Sequence, residues 1–81
     1  MNRQTVKIEA TWDADAAVWV AESADVPGLA TEADTVEALI EKLRIVVPEL
    51  LEANGIQLPT VDHELPFDVI ASRHDSVRLA C

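Results

Sequence analysis

Carboxylates are the most abundant reactive groups in this 81-residue chain, with fifteen Asp and Glu against six Lys and Arg. Grouped carboxylates can hold a divalent cation or share acid–base work, and their spacing decides which. Asp13 and Asp15 alternate on a polar stretch, with Glu22 and Asp25 following. A calcium loop needs more oxygen ligands at fixed spacing, a turn glycine and a closing glutamate, and these do not follow. An Asp-rich turn whose side chains cap their own backbone is the expectation instead. His63 stands beside Glu64, an arrangement that invites proton transfer, but no nucleophile pattern accompanies it. His74, the other histidine, also stands alone. Ser23, Ser72 and Ser76 lack the glycine-flanked elbow that exposes a catalytic serine. Phosphate-loop and dinucleotide fingerprints are absent from the sequence. Cys81, the single cysteine, excludes a disulfide framework or a cysteine-rich metal site. The chain is therefore expected to be non-enzymatic, with no catalytic residue, cofactor or metal.

The charge balance bears on partners. A formal charge of −9 opposes contact with a nucleic-acid backbone, because such binding replaces condensed cations with Lys and Arg. An anionic membrane surface is disfavoured for the same reason. A basic protein is the favoured partner, with encounter steered by opposite charge. Acidity on its own also serves solubility. No apolar run is long enough to span a bilayer. The N-terminal residues lead directly into a strand pattern, so no signal peptide is expected, and a reducing cytoplasm is the natural compartment.

Those side chains must be positioned by a single small domain, residues 1–81, with its core at about 5–73 and a tail at 74–81. Val6, Ile8, Ala10 and Trp12 alternate with polar residues, predicting a strand over 5–12 with one buried face. Residues 17–23 are β-branched and aromatic again, which predicts an antiparallel hairpin. Pro27 and Gly28 end that strand in a structural turn. Leu29–Glu32 is expected to be a third, short strand. Val36, Leu39, Ile40, Leu43, Val46, Val47, Leu50 and Leu51 recur at helical spacing, predicting a helix over roughly 35–53, kinked at Pro48. Asp34 and Thr35 compete as its N-cap, and Asn54-Gly55 is the expected stop. Residues 65–72 form the last expected strand, and the tail beyond is expected to fray.

The order is β-β-β-α-β: an α+β fold, an antiparallel meander with one helix on one face. One helix covers one face of a sheet, so the other face calls for a cover, and a second chain is the simplest one. Trp12 is in phase with Val6 and Ile8 and is expected in the core. Trp19 is out of phase with Val18 and Val20 and is expected, with Ile70, on the second face as an oligomer-interface residue.

The run Trp19-Val20-Ala21-Glu22-Ser23-Ala24-Asp25-Val26-Pro27-Gly28-Leu29 resembles the HicB-like N-terminal domain, whose second strand ends in an Asp-Leu-Pro-Gly turn. Ala33-Asp34-Thr35-Val36-Glu37-Ala38-Leu39 is similar to that family's helix start. Trp12-Asp13 and Glu32 to Thr35 look closest to its short, stand-alone, uncharacterised branch. The resemblance covers residues 5–73 and implies a partial ribonuclease-H-like fold. It also implies binding of a small basic ribonuclease toxin of the HicA type. Full HicB antitoxins carry a further C-terminal DNA-binding segment; no counterpart is expected here, and so no direct operator contact.

The expected function is thus a protein-binding module, antitoxin-like, that neutralises a small basic partner. The alternative is a structural or regulatory homo-oligomer without a toxin. The remaining alternative is a metal-dependent nuclease built on Glu9, Glu41 and Asp68, set against the absence of a basic groove for RNA. Glu22, Asp25, Glu32 and Asp34 flank the Pro-Gly turn and are the candidate partner-binding residues.

Overall fold

The computed structural model describes residues 5–57 and 64–80. Strands β1 (Val6–Asp13), β2 (Val18–Glu22) and β3 (Thr31–Ala33) precede helix α1 (Val36–Ala53), and β4 (Phe67–Ser72) follows it. The sheet order is β3-β2-β1-β4. The first three strands form an antiparallel meander, whereas β4 lies parallel to β1 on its free side. A parallel neighbour requires a crossover, and α1 provides it. The α+β class and the element order are as expected, with β3 running Thr31–Ala33 rather than Leu29–Glu32 and β4 beginning at Phe67 rather than residue 65.

Helix α1 buries Leu39, Leu43, Val47 and Leu51, an i, i+4 stripe, against the sheet. Of the two rival N-caps, Thr35 takes the role: its Oγ1 accepts from the Ala38 N–H at 3.0 Å. The helix remains continuous through Pro48. Its end is a Schellman arrangement. The Gly55 N–H donates to the Glu52 carbonyl, and the Ile56 N–H donates to the Leu51 carbonyl. Gly55 has φ +67°, which a glycine adopts without a Cβ penalty.

Val6, Ile8 and Ala10 on β1, Ala21 on β2 and Ala33 on β3 share the helix-covered face and complete the core with Val26 and Leu29. Phe67 and Val69 of β4 pack on its margin. The turn Val26–Leu29 closes through the Leu29 N–H to the Val26 carbonyl at 3.2 Å. Pro27 at its second position and Gly28 at φ +83° at its third fit a type II turn. Asn54 ties this turn to the helix end, donating from Nδ2 to the carbonyls of Pro27 and Leu50.

The expected side of Trp19 is corrected. β1 and β2 pair with Trp12 directly opposite Trp19 and Ala10 opposite Ala21. Residues directly opposite each other share a face, so Trp19 lies on the helix side. The two indoles meet edge to face, with centroids 5.4 Å apart. Trp12, expected in the core, is half-buried at the end of that face, with the Arg73 guanidinium 4.3 Å over its ring. Val18 and Val20 take the open face instead.

Candidate protein-binding face

Side-chain alternation and strand register define the face that α1 leaves open. It presents Val18, Val20 and Glu22 from β2, Lys7, Glu9 and Thr11 from β1, and Asp68, Ile70 and Ser72 from β4, with Glu32 at the β3 edge. Glu9 and Glu22 are direct cross-strand partners, and Ile70 lies on the other side of Glu9. Like charges directly opposite one another destabilise a strand pair. Lys7, beside Asp68, is the only base in this array. Ile70 is 57% exposed, while Val18 and Val20 are half-buried. A shallow depression of about 500 Å³ runs between Lys7, Glu9, Glu22, Ser23, Asp25 and Ile70.

The four candidate acids divide by role. Glu22 and Glu32 are exposed on the open face, and Asp34 is exposed between β3 and α1. Asp25 is half-buried, and its carboxylate accepts from the Lys7 N–H at 3.0 Å. Ser23 donates from its hydroxyl to the Lys7 carbonyl at 2.6 Å and accepts from the Asp25 N–H. β2 leaves the sheet after Glu22, where Lys7 would otherwise lose its ladder partners. Ser23 and Asp25 replace those backbone bonds with side-chain ones. Asp25 is thus a structural tie. Glu9 and Asp68 join Glu22 and Glu32 on the open face. The strand pattern already placed Glu9 and Asp68 on polar positions, but their convergence with Glu22 needed the register.

The Asp-rich turn closes on itself. Asp13 Oδ1 accepts from the N–H groups of Asp15 and Ala16, and the Ala17 N–H donates to the Asp13 carbonyl at 2.7 Å. Ala17 has φ +58°. Among the described residues no group of three His, Cys, Asp or Glu side chains is placed to hold a metal ion. Glu41 lies on α1, across the sheet from Glu9 and Asp68. His63 and Cys81 lie outside the described residues, and His74 is exposed. Among the described residues no helix is long and apolar enough to cross a membrane.

The sequence matches the family described as "Domain of unknown function (DUF1902)" over residues 5–80. The chain belongs to the DUF1902 family. A solved relative, the hypothetical protein TTHA1013 from the extremely thermophilic bacterium Thermus thermophilus, is 50% identical. The match covers 94% of this chain and 100% of that one, with a TM-score of 0.70. No curated protein matches the sequence. The DUF1902 assignment accounts for the span from the first strand into the tail.

Proposed function

We propose that this DUF1902 chain is a non-catalytic protein-binding module that takes a basic protein surface on its open sheet face. In its most specific form the module is HicB-like and antitoxin-like, masking a small basic toxin of the HicA type. The observation that carries the reading is the direct opposition of Glu9 and Glu22 on the sheet face that no element covers among the described residues. A fold tolerates such a pair at a cost in stability, and a cationic partner reverses that cost on binding. Exposed Ile70 on β4 and half-buried Val18 and Val20 on β2 supply apolar contact on either side of β1 on the same face.

Co-purification from the native host at low and high salt tests it, with the Glu9→Lys/Glu22→Lys variant as control. A basic protein that accompanies the wild type, leaves at high salt and is missing from the variant supports the reading. Recovery of the folded chain without a basic partner, or equal recovery with the variant, sinks it. A homo-oligomer without a toxin is the second reading, favoured by the exposed apolar residues Ile70, Val77 and Leu79. Glu41 stands on the opposite side of the sheet from Glu9 and Asp68, which speaks against a nuclease site built on the three.

A further inference from the structure

The segment after β4 is an extended arm. Residues 73–80 are exposed throughout and form no helix, strand or turn. Val77 and Leu79 are 80% and 81% exposed. The radius of gyration is 15.3 Å and the long axis 56 Å, against about 12 Å for the radius of a compact domain of this length. An extended arm of eight residues reaches about 26 Å, which accounts for much of the excess. The arm differs in charge from the body: residues 73–81 hold two of the six bases, Arg73 and Arg78, and one of the fifteen acids, Asp75.

Among the described residues β4 is an end strand of the sheet, and one of its edges has no strand partner. Beside it lies a groove of about 630 Å³ between strand and helix, lined by Ile40, Arg44, Leu65, Phe67, Asp68 and Val69 among others. An unpaired edge beside a groove that holds apolar side chains such as Ile40, Leu65, Phe67 and Val69 accepts an added strand: the backbone bonds to the edge, and alternate side chains enter the groove.

We infer that this strand is the arm of a second copy, with β4 and the arm of two chains pairing antiparallel about a two-fold axis. The arm has the required period of two, with Val77 and Leu79 on one side and Arg78 on the other. Setting Asp68 opposite Arg78 of the second copy brings Val69 opposite its Val77 and Phe67 opposite its Leu79. All four apolar residues then share the helix side, and the charged pair lies on the open side. The axis falls at Arg73, whose guanidinium is already drawn onto Trp12 of its own chain. Residues 67–81 contain no Gly or Pro, and β4 continues into the arm without a turn. The arm is therefore not folded back on its own edge, and the pairing is between chains. An isologous contact of this kind counts every interaction twice. It also joins two sheets edge to edge and leaves both open faces free, so it does not depend on the partner-binding reading above.

The test is the dimer dissociation constant of the full chain by sedimentation, for wild type, Asp68→Arg, Arg78→Asp and the double reversal. Both sites are exposed, and circular dichroism of each variant checks the fold. Each single reversal is expected to weaken the dimer about 10- to 30-fold, from two like-charged cross-strand contacts per dimer. The double reversal is expected to return it to within about threefold of wild type on the same argument. A monomeric wild type overturns the inference, as do single reversals without effect or a double variant no tighter than the singles. Arg78 belongs to the arm and is not one of its own chain's open-face residues, so Arg78→Asp, unlike Asp68→Arg, separates loss of the dimer from loss of a basic partner.

Discussion

Glu22→Lys should make the isolated domain more stable while it weakens capture of a basic partner. Glu22 and Glu9 are Cα partners in the β1–β2 ladder and both are exposed. Directly opposed side chains place carboxylates about 6 Å apart. At that distance two like charges in water repel by about 0.7 kcal/mol, and physiological salt halves this. Replacing repulsion by an equal attraction changes stability by about twice the screened value, or about 0.7 kcal/mol, already discounted for solvent exposure. For a domain of this size that corresponds to a rise of roughly 3–6 °C in Tm. Thermal melts at low, physiological and molar salt measure it. The rise should be largest at low salt, fade at molar salt and shrink in a Glu9→Gln background. A gain that ignores salt, or survives intact in Glu9→Gln, refutes the electrostatic account of the pair.

Other perturbations test the packing and the turns. Leu43→Ala removes a fully buried side chain at the centre of the helix stripe and should cost about 2–5 kcal/mol in urea unfolding, a large share of a small domain's stability. Ala17→Gly should stabilise by about 0.5–1 kcal/mol, because Ala17 sits at positive φ and glycine relieves the Cβ clash there. Asp25→Ala strips the Lys7 N–H of its acceptor and should cost about 1–3 kcal/mol, with faster hydrogen exchange at that amide. A protected Lys7 amide in Asp25→Ala would contradict the ladder-substitute role.

Helix α1 is legible from residue spacing because Leu39, Leu43, Val47 and Leu51 mark a single stripe, and periodicity is a local property. β1 is equally plain, since its polar and apolar residues alternate. β2 is not, because Val18 and Val20 on one side and Trp19 and Ala21 on the other are all apolar, so alternation cannot choose a side. Four loop residues between Asp13 and Val18 set the hairpin register and put Trp19 opposite Trp12. Face assignment here depends on loop parity, to which composition is blind. Asp25 is similarly hidden: its carboxylate has a structural task only because β2 departs from β1 at Ser23, a tertiary event. The pairing of Glu9 with Glu22, on which the candidate face turns, follows from the same register.

The claim that the open face is the binding face is tested most directly by amide chemical-shift mapping. The labelled chain would be titrated with the basic protein recovered beside it, at low salt. Shifts concentrated at Glu9, Val20, Glu22 and Ile70, and lost in Glu9→Lys/Glu22→Lys, are the predicted result. Shifts centred on the exposed side of α1 around Ile45, with the open face silent, would contradict the account.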